Sequence, residues 1–191
     1  IQGAGTRAFC AGGDIRAVQQ AVITDRPQDG AALLRDEYHM NALIGAYPKP
    51  YIALLHGITM GGGAGVSVHG RYRLADDSLA FAMPETAIGF VPDVGSSFFL
   101  SRLPDQLGLY LGLTGTRIGL GDALDTGLVT HAAAKEDFDA VIAALADGAP
   151  VEKTVQSFSR KAAPGALRAQ RRAIATFFGA ASVEGILERL D

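Results

Sequence analysis

The sequence has a single cysteine, Cys10, and no apolar run approaching the length of a membrane span. One thiol excludes an internal disulfide and fits a reducing compartment. A bilayer-crossing helix needs about 18–20 consecutive apolar residues, so none is expected. Histidine is scarce too. His39, His56, His69 and His131 are scattered, and with one cysteine they form no zinc signature. Positive charge is not in excess: the net charge is −3, which argues against general nucleic-acid binding. The chain opens on Ile-Gln-Gly without a basic-then-apolar leader, so no targeting segment is expected. Heavy use of Ala, Gly and Arg suits a bacterial cytoplasmic protein, with the mitochondrial matrix as the alternative. There is no internal repeat and no low-complexity tract.

What is present is apolar bulk. Of 191 residues 48% are hydrophobic, enough to bury a sizeable core in one domain with an appendage. Residues 1–14 read as loop, crowded by Gly3, Gly5, Gly12 and Gly13. Asp14 caps a helix to about Val22. Residues 24–30 read as a polar loop, and 31–46 as a helix ended by Pro48-Lys49-Pro50. Tyr51–Leu55 is a non-alternating apolar run, the pattern of a strand covered on both faces. A small-residue helix is expected at 63–69, short strands at 71–75 and 79–82, and a helix opened by Pro92 and Asp93. Further helices are expected near 105–113, 121–126 and 135–146, with a strand at 128–133. Residues 151–191 read as helical with a break at Pro164-Gly165. Strands alternate with helices early and helices dominate late, which makes an α/β core (1–147) and a helical C-terminal region (148–191). That last stretch holds seven basic side chains, Lys153, Arg160, Lys161, Arg168, Arg171, Arg172 and Arg189, against four acids, leaving −6 for the rest of the −3 chain. It reads as a solvated helix face rather than a phosphate site.

Three constellations can carry chemistry. The first is Phe9-Cys10-Ala11-Gly12-Gly13-Asp14, where small residues let a ligand approach the backbone beside a helix start. The second is His56-Gly57-Ile58-Thr59-Met60-Gly61-Gly62-Gly63-Ala64-Gly65, a triple glycine after a buried strand and before a helix. Each also has a plainer reading as a tight turn or close helix–strand packing. The third runs from Met83-Pro84-Glu85-Thr86 to Pro92-Asp93-Val94-Gly95. Apolar neighbours (Ala87, Ile88, Phe90, Val91) would partly desolvate a carboxylate and sharpen it as base or nucleophile. For Asp93 alone, a helix N-cap is the plainer reading. Gly65-Val66-Ser67-Val68-His69 falls one residue short of a nucleophile elbow and lies inside an expected helix. Cys10, His56 and His69 read as structural, the histidines with satisfied ring nitrogens.

In this order and spacing the three motifs resemble the enoyl-CoA hydratase/isomerase (crotonase) superfamily, from about Gly3 to His131 and most strongly between Lys49 and Leu103. Met83-Pro-Glu-Thr-Ala-Ile-Gly89, Pro92-Asp-Val-Gly95 and Ser67-Val-His-Gly70 resemble its 3-hydroxyisobutyryl-CoA hydrolase branch. The resemblance implies a spiral of strand-strand-helix turns, with strands before Ile1 and helix after Asp191 that this sequence does not contain. It implies an oxyanion hole from the N–H groups of Gly13 and Gly62, with Ala11, Gly61 and Gly63 against the acyl-CoA substrate. Arg7 and Arg16 could meet coenzyme A phosphates, though exposed solvated arginines are the plainer reading. Glu85 takes the superfamily's second acid/base position, and Asp93 the extra acid of the hydrolase branch. Hydratases place a glutamate where this chain has Gly65, which argues against hydration.

The expected activity is therefore hydrolysis of a short-chain 3-hydroxyacyl-CoA, 3-hydroxyisobutyryl-CoA in valine degradation above all. Coenzyme A enters as part of the substrate, and no cofactor or metal is implied. The expected partners are the acyl-CoA and further copies of the chain (trimer or hexamer), with no nucleic acid and no membrane. Three readings compete: hydratase, isomerase or dehalogenase chemistry in the same superfamily; a Ser67 hydrolase; and a non-catalytic acyl-CoA-binding subunit.

Overall fold

A computed structural model describes residues 1–191. The chain climbs in repeated strand-strand-helix steps. After strand β1 (Ala8–Cys10), helices α1 (Ile15–Ile23) and α2 (Pro27–Gly45) form a hairpin. Strands β2 (Ile52–Leu55) and β3 (Ile58–Met60) follow, then helix α3 (Gly62–Val68). The step repeats with β4 (Tyr72–Ala75) and β5 (Ala80–Ala82), closed by a 3₁₀ turn at Glu85–Ile88 and short helix α4 (Ser96–Phe99). Helices α5 (Leu107–Thr114) and α6 (Leu120–Asp125) lead to strand β6 (His131–Ala132). Helices α7 (Phe138–Ala146), α8 (Val151–Ser157), α9 (Arg171–Phe178) and α10 (Val183–Leu190) complete the chain.

Each step places one strand in each of two parallel sheets, ordered β1-β3-β5 and β2-β4-β6. Ile52 pairs Tyr72 and Leu55 pairs Ala75 in one; Ile58 pairs Ala80 and Met60 pairs Ala82 in the other. Two residues, His56 and Gly57, carry the chain from β2 to β3. Gly57 has φ +58°, and a methyl group there would overlap the Arg7 carbonyl, so this corner requires glycine.

The sheets are buried on both sides. Ala53 and Leu55 of β2 join the main core with Phe81, Leu107 and Val129, while Leu54 joins a second cluster with Leu74, Val141 and Val155. That explains the absence of alternation in the 51–55 run. Residues beyond 148 enter the same main core: Leu167, Ile174, Phe178 and Ile186 belong to it, and the Phe178 ring meets Tyr110 edge-on at 5.2 Å. Asp122 of α6 accepts a hydrogen bond from Leu167 N–H at 2.8 Å. Several basic side chains of this region are paired with acids of the preceding chain: Arg168 with Asp125 at 2.5 Å, and Arg160 with Asp77 at 2.7 Å.

Four expectations are corrected. Residues 8–10, read as loop, form β1, because pairing with β3 outweighs the local glycine signal. β3 went unassigned because it is three residues long and bounded by glycines. The segment 24–30, read as loop, is half helix: Pro27 sits in the first turn of α2, where its missing N–H costs nothing. The helix expected from Pro92 begins only at Ser96, after Val94 and Gly95 take left-handed φ of +47° and +83°, and Asp93 does not cap it with its side chain. Elsewhere α1 and its Asp14 cap, which accepts from Ala17 N–H at 3.0 Å, follow the expectation.

Phe81 is 1% exposed at the centre of the main core. Phe81→Ala should cost about 3–5 kcal/mol of stability, read as a shift of the urea midpoint. A change under about 1 kcal/mol would show that this core collapses around the void.

Candidate active site

Two glycine turns face each other. The first follows β1, and the second carries β3 into α3. A methyl group on Gly62 would come within 3.3 Å of both Gly13 N and Gly12 Cα, and one on Gly12 within 3.4 Å of Gly62 N. Gly13 N–H donates to no acceptor of the protein. Gly62 is the first residue of α3, so no carbonyl of that helix lies behind its N–H. Gly61, at φ +52°, makes the turn between strand and helix.

These turns form one wall of a cavity of about 150 Å³ whose lining includes Ala11, Gly12, Gly13, Gly61, Gly62, Glu85 and Asp93. Of the expected substrate-binding residues, Ala11 and Gly61 line it and Gly63 does not. A side chain at Gly63 would overlap the Cys10 carbonyl, so this glycine serves the close packing of α3 on β1. Arg7 and Arg16 are exposed, and neither lines the cavity.

Glu85 reaches the cavity because Pro84 ends the β5 segment and a 3₁₀ turn begins at Glu85 itself. Its side chain is 8% exposed. Oε1 lies 3.0 Å from where a Cβ on Gly61 would sit, and Oε2 is buried without a hydrogen-bond partner. Burial pushes its carboxyl above the ordinary range. Asp93 and Glu37 add to the rise, and hydrogen bonding at its own backbone partly opposes it.

Asp93 is half-buried and accepts a hydrogen bond from Tyr38 O–H at 2.8 Å. The phenol is pushed up to about 12, by burial first and then by its bond to Asp93 and the charges of Asp93 and Glu37. The sequence reading missed both α2 residues. Glu37 lines the cavity, and burial followed by the charge of Asp93 raises its carboxyl. The adjacent Glu37-Tyr38 on a helix passing the first glycine turn was the available signal, but only tertiary packing brings it to the site.

Ser67 is no nucleophile: its buried hydroxyl donates back to the carbonyls of Gly63 (2.8 Å) and Ala64 (3.0 Å). His69 Nε2 donates to the Val94 carbonyl at 2.8 Å, the expected satisfied histidine. His56 corrects that expectation: it is 2% exposed, and neither ring nitrogen has a partner. Gly65 faces a filled space. A Cβ there would lie 2.7 Å from Val94 Cβ and 2.9 Å from Asn41 Nδ2, so no carboxylate fits. No group of three or more His, Cys, Asp or Glu side chains is arranged to hold a metal ion. No helix is long and apolar enough to cross a membrane.

A family model described as Enoyl-CoA hydratase/isomerase matches residues 1–191. A relative from Xenopus tropicalis, 3-hydroxyisobutyryl-CoA hydrolase, mitochondrial, is 45% identical over all of this chain and 52% of its own length. Among solved structures, an enoyl-CoA hydratase from Rhodobacter sphaeroides superposes with a TM-score of 0.90 at 39% identity, over 100% of this chain and 55% of that one. A carnitinyl-CoA dehydratase from Mycobacterium thermoresistibile gives 0.89 at 39% identity, over 99% and 55%. The chain thus spans about half the length of the curated relatives it matches.

The raised carboxyl of Glu85 has a consequence for stability. Above the ordinary value of 4.5 the unfolded chain releases this proton while the folded chain keeps it. Stability therefore falls as pH rises from there to the raised folded value, and then levels off. Glu85→Gln removes the effect. The stability advantage of the variant in urea should grow over that window and then plateau; an advantage independent of pH would mean that Glu85 titrates alike in both states.

Proposed function

The chain belongs to the enoyl-CoA hydratase/isomerase (crotonase) family, and on that premise we propose that it hydrolyses a short-chain 3-hydroxyacyl-CoA thioester. The favoured substrate is 3-hydroxyisobutyryl-CoA, giving 3-hydroxyisobutyrate and coenzyme A, a step of valine degradation. The observation that carries the reading is Glu85, a buried carboxyl with an unpartnered oxygen beside two facing main-chain amides. Relatives bearing the hydrolase name, one of them 45% identical over the whole chain, support the choice of substrate.

In this reading the thioester oxygen lies between Gly13 N–H and Gly62 N–H. Negative charge grows on it during attack, and one such donor is typically worth about 2.7–4 kcal/mol in the transition state. The Glu85 carboxylate attacks the carbonyl carbon. The C–S bond breaks, its electron pair goes to sulfur, and coenzyme A leaves as the thiolate. Water then adds to the mixed anhydride, releases the acid and restores Glu85. Attack by a water that Glu85 deprotonates leads to the same products. Asp93, held by Tyr38, meets the 3-hydroxyl or orients water. The same proposal takes the protein as a homo-oligomer, trimer or hexamer, in the cytoplasm. Exposed Val91, Leu109 and Leu113 along one groove support the association. The mitochondrial name of the relatives keeps the matrix as the alternative location.

A second reading, hydration of an enoyl thioester, is favoured by one observation: Glu37 brings another carboxyl to the cavity. Against it, the place that hydratases of the family give to a glutamate is Gly65, packed against Asn41 and Val94. Assays of free thiol release from 3-hydroxyisobutyryl-CoA and of water addition to crotonyl-CoA separate the two. The first should proceed and the second should be absent; the reverse pattern removes the hydrolase reading. Glu85→Gln should abolish turnover and leave acyl-CoA binding within a few fold. Turnover at the normal rate in that variant would displace Glu85 from its role. Asp93→Asn should slow 3-hydroxyacyl substrates more than unsubstituted ones, whereas equal losses would remove the hydroxyl contact.

A further inference from the structure

The Glu37 carboxyl lies against both turns of the oxyanion site. A methyl group on Gly62 would overlap its Oε1, and one on Gly13 would lie 3.8 Å from its Oε2. It takes part in no hydrogen bond or ion pair with the rest of the chain, and no lysine, arginine or histidine lines the cavity. The ionisable groups around it are Asp93, the Tyr38 phenol and Glu85. α1 offers the cavity Ile15, and α3 offers Gly62; Arg16, the ionisable side chain of α1, does not line it.

An acyl oxygen held by the Gly13 and Gly62 amides would sit beside this carboxyl. As a carboxylate, Glu37 would repel the charge growing on that oxygen. As a neutral acid it would offer an O–H where the charge grows. Three acids share the small space without a counter-charge, and one is almost wholly buried with an unpartnered oxygen. Like charges so placed disfavour full ionisation of the set. Glu37 and Glu85 are both raised by burial, so one proton shared by the set can sit on either, and the arrangement with Glu85 ionised and Glu37 protonated is one of its two forms.

We propose that Glu37 is a further catalytic residue, which acts as a neutral carboxyl and donates a hydrogen bond to the thioester oxygen alongside the Gly13 and Gly62 amides. This rests on the thioester-hydrolysis reading. Glu85 must be ionised to attack and Glu37 protonated to donate, so the rate rises with pH through the first deprotonation of the pair and falls through the second. Burial and the charge of Asp93 both raise the Glu37 carboxyl, which supports a protonated working form.

Two variants test it. Glu37→Gln keeps the shape and an N–H donor but cannot ionise, whereas Glu37→Ala removes the donor. With 3-hydroxyisobutyryl-CoA, Glu37→Ala should lose about 10²- to 10³-fold in kcat with KM changed less than threefold. Glu37→Gln should stay within about tenfold of the parent and lack the alkaline fall. The ketone analogue of the substrate, with a methylene inserted between sulfur and carbonyl, supplies a readout without turnover. Its bound carbonyl stretch should lie at lower frequency in the parent and the Gln variant than in the Ala variant. An Ala variant with normal kcat overturns the proposal. So does one that binds the analogue more tightly at unchanged rate, which would make Glu37 a competitor for the cradle. Equal losses in both variants with the alkaline limb intact also overturn it. If the parent releases no thiol at any pH, the hydrolase reading fails by itself. The carbonyl stretch then still decides on Glu37: a difference between parent and Ala variant keeps the donor role, and identical bands remove it.

Discussion

Main-chain contact between the turn at Gly12-Gly13 and the turn at Gly61-Gly62 is the constraint on which the site depends. The two segments are separated by about fifty residues, and β1 pairing alongside β3 brings them together. Any side chain at Gly62 would push them apart. Glycine here gives up conformational economy in the unfolded chain to allow a close backbone approach and to leave room for the Glu37 carboxyl. The α1–α2 hairpin then adds Ile15, Leu33, Leu34 and Glu37 to the space beside the turns, and the 3₁₀ turn after Pro84 delivers Glu85 to it.

Charge in that space is unbalanced. Glu37, Glu85 and Asp93 meet without a cation in the lining, and Tyr38 O–H is the neutral donor that steadies Asp93. Basic side chains are used elsewhere. Arg168 ties α6 to the C-terminal helices through Asp125. Arg73 donates to the carbonyls of Gly70, Gly127 (2.9 Å) and Leu128 (2.9 Å), joining β4 to the loop before β6. The cations thus hold the scaffold, and the three acids of the cavity are left without a counter-charge. A desolvated carboxyl without a counter-charge holds its proton above the ordinary range.

Much of this was legible in the sequence. The α/β class, the non-alternating buried strand at 52–55, the Asp14 cap and the triple-glycine turn follow from local pattern, and the structure places Gly13, Gly62, Glu85 and Asp93 around one cavity. What was not legible depends on partners distant in the chain. β1 and β3 are three residues each, too short to show periodicity, and exist because parallel neighbours complete their hydrogen bonds. Glu37 and Tyr38 read as ordinary polar positions of a helix until the hairpin folds over the turns. His56 carried no mark of being buried unpaired, because burial at that corner is set by the strands of both sheets.

The packing around Gly65 bears on how activities within such a scaffold can diverge. Asn41 of α2 and Val94 of the turn before α4 fill the space from two directions, so position 65 is tied to two residues remote from it in sequence. Installing an acid there calls for concerted change at all three sites, with each single replacement leaving either a clash or a void. A carboxylate at position 65 is therefore separated from this chain by a barrier of mutual dependence rather than by one codon. Libraries meant to cross it would have to vary residues 41, 65 and 94 together.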